Sequence, residues 1–309
     1  MLRLSLRAKL IFSFSAVIVV GVFLAVLVGI HFIGDTIIRQ TQDKVRLDLN
    51  SAREVYQEES GQIRDVVRLT AVRFFIKDAM AKGDRNVLSR ELQKIRQEEN
   101  LDVLNLVDES CRVIVRTSRP ELYGDDIIED AVIERALSRG DVTVSTELIS
   151  REQLEKNGDD LAKKAAIMLV PTPKARPRSE TEETSGMMIA AAAPIFGYDG
   201  TLLGVLYGGK LLNRNYQIVD KVKDIVYRGE RYKEKDIGTV TIFQGDLRVT
   251  TNVMRSEGTR AIGTRVSQEV YDQVIGQGQP WIGRAFVVND WYITAYETVS
   301  YTHLRAHET

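Results

Sequence analysis

The feature that most constrains this chain is an uninterrupted apolar segment near its N-terminus. Residues 10–33 contain no Asp, Glu, Lys or Arg. As a helix rising about 1.5 Å per residue they extend about 36 Å, whereas the hydrocarbon core of a bilayer is about 30 Å thick. The segment exceeds the apolar region of a signal peptide, about 7–15 residues, and no small-residue cleavage site follows it. It therefore predicts a retained transmembrane helix; a cleaved signal and a buried soluble helix are the alternatives.

The charges on either side of this segment predict its orientation. Three basic residues, Arg3, Arg7 and Lys9, precede it without an acidic neighbour, whereas charges of both signs follow it. Positive flanks remain on the cytoplasmic side of a membrane. We therefore expect residues 1–9 to be cytoplasmic and residues after about 34 to be extracytoplasmic.

A long helical stalk is predicted to follow the membrane segment. From Asp35 to Ala81 there is no proline, and the only glycine is Gly61. Apolar or small residues spaced by steps of three and four form one stripe on a helix. The stripe consists of Val45, Leu49, Ala52, Tyr56, Ile63, Val66 and Thr70. It is either a dimer seam or a surface that packs on the chain's own sheet. Gly83 and Asp84 should end the helix, and a second helix should continue to about Gln97.

Beyond residue 100 the pattern changes to short strands, and one order of elements occurs twice. Each copy reads as a hairpin, a helix that ends at glycine, and a further strand. The first copy comprises Asp102–Val107, Arg112–Thr117, Ile127–Arg139 and Asp141–Ile149; the second comprises Thr239–Gln244, Leu247–Asn252, Val266–Ile275 and Trp281–Val288. This weak internal repeat predicts two similar modules.

The region between the two copies should complete the first module. Gly186–Leu212 reads as two strands joined by Gly-Tyr-Asp-Gly, a strong hairpin signal. Asn213–Arg228 then forms a connecting helix, and Arg151–Ala166 is predicted to be a surface helix. The stretch 171–185 contains three prolines and segregated charges, which predicts an exposed loop.

Two runs carry a resemblance to a known family: APIFGYDGTLLGVLYGG at 193–209 and GQGQPWIGRAFVVNDWYITAYE at 276–297. Together with the order of elements over about 35–298, they resemble the double Cache sensors, tandem PAS-like regions of bacterial histidine kinases and chemoreceptors. The resemblance implies an α+β fold with five- or six-stranded antiparallel sheets. It also implies a location in the inner membrane of a bacterium, a second membrane helix and a cytoplasmic output domain.

The predicted organisation combines the resemblance with the residue patterns. It consists of a cytoplasmic N-terminus (1–9), a transmembrane helix (10–33), a long stalk helix with a second helix (34–98), a membrane-distal Cache module (99–212), a connecting helix and loop (213–236), a truncated membrane-proximal Cache module (237–298) and a non-native tail (299–309). The tail resembles a translated sequencing adapter and holds two of the three histidines. We therefore expect the natural protein to be longer and the second module to lack its closing strands.

The residue types present argue against catalysis. Outside the apolar segment and the tail there is no histidine, and Cys111 is the single cysteine, so no catalytic triad and no cysteine metal motif can form. We expect no enzyme activity for these residues, no cofactor and no metal, whereas a longer protein could carry a kinase domain. Asp125 and Asp126 are interpreted as charges favourable at a helix N-terminus. A net charge of −1 gives no field that would attract nucleic acid.

Ligand binding is the function that the sequence favours. Polar and aromatic residues in or just after strands are candidates to line a pocket. They are Arg116, Tyr123, Ser145, Tyr207 and Lys210 in the distal module, and Trp281, Arg284, Trp291, Tyr292 and Tyr296 in the proximal module. Arginine beside aromatic rings suits a carboxylate or another small anion. By resemblance the distal module is the commoner site.

We thus predict a membrane-anchored, homodimeric sensing region that binds a small molecule. It is the input half of a sensor histidine kinase or, alternatively, of a methyl-accepting chemotaxis receptor. A membrane-tethered extracytoplasmic enzyme is a remote alternative.

Overall fold

The computed structural model of the chain describes residues 6–127, 131–229, 231–232, 235–236, 238–255 and 257–299. Its first element, α1 (Leu6–Ala71), is a continuous helix of 66 residues, about 99 Å long. The part of α1 from Phe14 onward contains an 18-residue window with a mean hydropathy of 2.9. The rest of the chain buries none of this window. By length and composition this helix can cross a membrane. The predicted tail lies outside the described residues except for Val299.

Two shorter helices follow α1. They are α2 (Phe74–Lys82) and α3 (Arg85–Glu98). Gly83, in the left-handed conformation, donates to the carbonyls of α2, and Asp84 caps α3 by accepting from the Val87 amide. The predicted boundary at Gly83 and Asp84 is therefore confirmed. The prediction of one helix through Ala81 is wrong, because the extended backbone of Arg73 interrupts it.

The predicted elements occur in the predicted order, and the structure adds four strands of two residues each among the described residues. The helices are α4 (Ala131–Arg139), α5 (Arg151–Asn157), α6 (Asp159–Ala165), α7 (Tyr216–Tyr227) and α8 (Gln268–Tyr271), which continues as a π-helical turn (Asp272–Gly276). The strands are β1 (Val103–Val107), β2 (Val113–Arg116), β3 (Thr143–Ile149), β4 (Ile167–Met168), β5 (Glu182–Glu183), β6 (Gly186–Phe196), β7 (Leu202–Leu211), β8 (Arg231–Tyr232), β9 (Lys235–Asp236), β10 (Thr241–Gln244), β11 (Leu247–Thr251), β12 (Trp281–Val287) and β13 (Asp290–Tyr296).

Five strands form an antiparallel sheet in the order β2-β1-β7-β6-β3. One face packs on α1, α2 and α3 through buried residues such as Ile63, Val67 and Leu206. The other face packs on α4, α5 and α6 through residues such as Ile133 and Leu154. An α+β class with antiparallel sheets is thus confirmed.

The stalk stripe and the segment after β3 both pack on the five-stranded sheet. Tyr56 and Ile63 are buried against the chain's own sheet, as one of the two interpretations of the stripe required. The segment predicted as a surface helix is two helices, α5 and α6, separated at Gly158. Leu154 and Ala165 are buried beneath them, whereas most other residues of the two helices are partly or fully exposed, so the segment lies at the surface as predicted but as two helices.

The C-terminal part contains two hairpins, β10–β11 and β12–β13, each a two-stranded sheet among the described residues. β13 lies beside α1, where the Arg53 Nε donates to Glu297 over 2.8 Å. The proline-rich segment 171–185 is largely exposed, yet it is anchored to this part. The Gln268 amide donates to the Lys174 carbonyl over 2.8 Å, and Arg265 donates to the Arg176 carbonyl over 2.7 Å.

Candidate ligand-binding cavity

A row of polar side chains crosses the five-stranded sheet on the face opposite α1. In the strand register Arg116 lies opposite Asn105, Asn105 opposite Tyr207, and Tyr207 opposite Ala192. Directly opposed residues of antiparallel strands project to the same face. Ala190, also on this face, is small like Ala192, so the sheet surface next to Tyr207 carries little side-chain volume.

Arg116 is the charged member of the row, and only 2% of its surface is exposed. Its two terminal nitrogens donate to the two carboxylate oxygens of Asp125 over 2.6 and 2.8 Å. The same guanidinium donates to the Leu122 carbonyl over 3.2 Å, which fixes the loop before α4. This paired hydrogen bonding holds the pKa of Asp125 below its usual value, against the effect of partial burial.

Helix α5 covers the row and encloses a cavity of about 300 Å³. Asn105 donates to the Asn157 side-chain oxygen over 2.7 Å and so ties the sheet to α5. The lining consists of Asn105, Arg116, Asp125, Asp126, Ile127, Ile149, Ser150, Glu152, Gln153, Lys156, Asn157 and Tyr207.

The charges of the cavity are of both signs, and some polar atoms remain available. The Nε of Arg116 and the Oδ1 of Asn105 are buried and have no hydrogen-bond partner among the described residues. Lys156 lies 3.0 Å from Glu152, which raises the Lys156 pKa, and 3.6 Å from Asp125. The site can therefore offer N–H donors and oxygen acceptors to one small polar molecule.

Two of the five residues predicted for the distal module, Arg116 and Tyr207, line this cavity. The other three lie elsewhere. Tyr123 is exposed and stacks 3.5 Å from the Arg85 guanidinium. Ser145 accepts from Arg135 of α4 over 2.8 Å, and Lys210 donates to Glu59 of α1 over 2.8 Å on the opposite face of the sheet.

The five residues predicted in the second module divide between two environments. Trp281 and Tyr296 pack on the cluster formed by Val266, Val270, Val274 and Ala285. Arg284, Trp291 and Tyr292 are on the surface, where Arg284 lies 4.6 Å from the Trp291 ring. The ring of Trp291 also contacts Lys174 at 4.0 Å.

The sequence analysis did not select several residues that shape the cavity: Asn105, Asp125, Lys156 and Asn157. Asn105 had a visible signal, since it is the polar residue within the otherwise apolar run Val103–Val107. The assignment of Asp125 to a helix N-terminus is incomplete, because its carboxylate binds Arg116.

Comparisons with known proteins support the resemblance. Residues 210–303 match the family model described as single cache domain 3, and the match includes the first five residues of the predicted tail. This confirms a Cache sensor domain in the C-terminal part. A comparison with curated proteins gives no match.

A comparison with solved structures gives further similarities, each with a low sequence identity. The periplasmic domain of Vibrio cholerae LuxQ is 11% identical, with 82% of this chain and 95% of that chain covered and a TM-score of 0.43. The sensory domain of the Campylobacter jejuni chemoreceptor Tlp3 with isoleucine bound is 13% identical, covers 83% and 86%, and has a TM-score of 0.42. The E. coli DcuS sensor domain is 14% identical, covers 53% and 93%, and has a TM-score of 0.35.

Proposed function

We propose that this chain is the extracytoplasmic ligand-sensing region of a homodimeric bacterial membrane receptor, built from two tandem Cache modules. The observation that carries the proposal is the buried row of Arg116, Asn105 and Tyr207 beneath a cavity of about 300 Å³. This volume is at the lower end of ligand pockets, which span about 300–1,000 Å³, and therefore favours a small metabolite.

The charges of the lining refine the ligand class. A plain anion is what the sequence predicted, but Asp125 already occupies both terminal nitrogens of Arg116. The remaining charged groups of the lining are two donors, the Arg116 Nε and the Lys156 ammonium, and two carboxylates, Asp126 and Glu152, of which Glu152 lies 3.0 Å from Lys156. A small zwitterion, such as an amino acid, complements both sets: its carboxylate faces the donors and its ammonium faces the carboxylates.

Binding to the full chain in lipid nanodiscs tests this proposal. Calorimetric titration should give saturable binding of at least one α-amino acid. The corresponding carboxylic acid without the amino group, and the amine without the carboxylate, should bind at least about 10-fold more weakly, because each leaves one charged hydrogen bond unmade. If no amino acid binds, or the truncated analogues bind equally well, this assignment of the cavity is refuted.

Two lysines with similar exposure provide a matched pair of variants. Lys156 lines the cavity, whereas Lys164 of α6 lies 3.8 Å from Asp102, outside the lining. Lys156→Gln should weaken amino acid binding about 10-fold or more, and Lys164→Gln should leave it unchanged. Equal effects of the two substitutions would contradict the site.

The same proposal includes the membrane topology: the Cache modules lie outside the cytoplasm. Ligand binding there controls a histidine kinase inside the cell. In a Cys111→Ala background, Ser179→Cys should react with a membrane-impermeant maleimide on intact spheroplasts. Arg7→Cys should react only after the membrane is permeabilised. The reverse pattern would place the modules in the cytoplasm and refute the receptor.

A further inference from the structure

A second buried arginine lies far from the cavity, in the C-terminal part. Arg248 of β11 is 2% exposed, and its Nε and Nη1 have no hydrogen-bond partner among the described residues. Within the described residues, Arg248 also forms no ion pair, unlike its neighbours Arg260 and Arg265. The other deeply buried arginines are compensated: Arg116 by Asp125, and Arg265 by Asp246 at 2.7 Å.

The Arg248 guanidinium lies next to one ring of an aromatic group. Its Cζ lies 5.3 Å from the centre of the Phe243 ring. Phe243 in turn meets Tyr296 edge to face at 5.9 Å. Trp281 lies opposite Tyr296 in the β12–β13 register and so projects from the same face. All three rings pack on the apolar cluster of Val266, Val270, Val274 and Ala285.

Most of the unpaired buried atoms in this region are N–H donors. They are the Nε and Nη1 of Arg248, the Nε of Arg255 and the Nε1 of Trp281, whereas the Gln244 Oε1 and the Ser267 Oγ are the unpaired oxygens there. A buried donor without an acceptor costs about 1–3 kcal/mol, and more when it is charged. The partner missing at Arg248 is therefore an acceptor.

The charge of the region points the same way. Burial lowers the pKa of Arg248 to about 10, and the nearby charge of Arg255 acts in the same direction. The guanidinium nevertheless remains protonated at neutral pH. A buried cation is tolerated in proteins when an anion compensates it.

We infer that Arg248, Arg255 and Trp281 form a second ligand site, which takes a small monocarboxylate. The carboxylate accepts from the Arg248 fork, and the apolar part of the ligand lies among the rings of Phe243, Trp281 and Tyr296. The site is separate from the proposed amino acid cavity. It keeps the predicted candidates Trp281 and Tyr296, but its arginines differ from the predicted Arg284, which is exposed on the other side of the hairpin.

Thermal unfolding of the full chain in nanodiscs tests this inference with propionate and benzoate as probes. Propionamide and benzamide are the neutral controls. At a concentration of about 100 times the Kd, a carboxylate multiplies the folding constant about 100-fold, which raises the Tm by several degrees. The amides should leave the Tm unchanged.

Three variants locate the effect. Arg248→Met should abolish the response to carboxylates, and its own Tm should equal or exceed that of the parent protein, because a buried uncompensated charge is removed. Arg284→Met removes an exposed arginine of the same hairpin and should keep the full response. Trp281→Phe preserves the ring packing without the indole donor and should weaken carboxylate binding several-fold, which provides a readout even if Arg248→Met does not fold.

Several results would overturn the inference. They are the absence of a Tm shift with either acid at about 20 mM, an equal shift with the amides, and an unchanged response in the folded Arg248→Met or Trp281→Phe variant. The Lys156→Gln variant separates this site from the other cavity. It should bind amino acids about 10-fold or more weakly, as above, and its Tm should still respond to the carboxylates. A simultaneous loss of both responses would contradict two independent sites.

Discussion

The Asp125→Asn substitution tests the electrostatics of the cavity most directly. Arg116 is 2% exposed and depends on Asp125 as its charged partner, whereas the Asp125 side chain is 35% exposed. Breaking a fully buried ion pair costs about 3–5 kcal/mol. Because solvent screens the exposed third of this carboxylate, we expect about half of that, roughly 1.5–2.5 kcal/mol.

Asp126→Asn is the matched control, since it is the same change at the next residue. Asp126 meets Arg112 at 3.5 Å, and both side chains are at least half exposed. Its substitution should change the free energy of unfolding by less than about 0.5 kcal/mol. Urea denaturation of the three proteins at pH 7, followed by circular dichroism, gives both differences.

The pH dependence supplies an independent check of the cause. The pKa of Asp125 is lowered in the folded state, so the unfolded chain binds its proton first as the pH falls. The stabilisation is therefore complete above the ordinary carboxyl pKa of about 4 and is lost as the pH falls through the lower, folded-state pKa. The difference between the parent and Asp125→Asn should shrink from pH 7 to pH 3. A difference that does not depend on pH, or one no larger than that of Asp126→Asn, would refute the proposed role of the charge.

Further predictions concern the contact between α1 and the sheet. Gly208→Ala should destabilise the protein by about 1–3 kcal/mol in urea denaturation, because the added Cβ would lie 2.8 Å from a methyl group of Val67. Gly61 lies in α1, like Val67, and an added Cβ there would meet no atom within 4 Å. Gly61→Ala should therefore stabilise the protein by about 0.5–1 kcal/mol, and a decrease in the free energy of unfolding would contradict the helical packing of α1. The Lys210 and Glu59 side chains are 17% and 18% exposed, and their charged atoms lie 2.8 Å apart. Lys210→Met and Glu59→Gln should therefore be non-additive in a double-mutant cycle, with a coupling of about 1–2 kcal/mol, whereas additive effects would exclude the ion pair.

The order of helices and strands could be predicted from the sequence because each element has a local signal. The Gly-Tyr-Asp-Gly turn predicts the β6–β7 hairpin, and Gly83 with Asp84 predicts the boundary between α2 and α3. The interruption of the stalk at Arg73 has no such signal, since no glycine or proline occurs there. It depends on the tertiary packing that turns Ile76 into the core.

The site was predicted less completely, and strand periodicity explains one of the errors. Tyr207 and Lys210 are three residues apart in β7, so a period of two places them on opposite faces of the sheet. The two therefore could not share one pocket, a conclusion available from the sequence once β7 was recognised. Arg248 is different, because the ring that it contacts, Phe243, packs on a cluster that includes Ala285 and Trp281 of β12, which are distant in sequence.

The two faces of β7 connect the cavity to the membrane helix. Tyr207 lines the cavity, whereas its neighbour Gly208 meets Val67 of α1, and Lys210 binds Glu59 of the same helix. Because protein interiors are close-packed and resist compression, a ligand that displaces Tyr207 must also move Gly208 or rotate the strand. Either motion acts on α1 at two points, about two turns apart, that belong to the helix predicted to enter the membrane. Helix shifts of about 1–2 Å at subunit interfaces are a known form of switching, and a rigid attachment of this kind is what such a shift requires. A Lys210→Met variant should therefore bind amino acids with unchanged affinity, while the ligand-induced change in distance between spin labels on the α1 helices of a dimer should be smaller than in the parent protein. An undiminished change would show that β7 does not carry the signal.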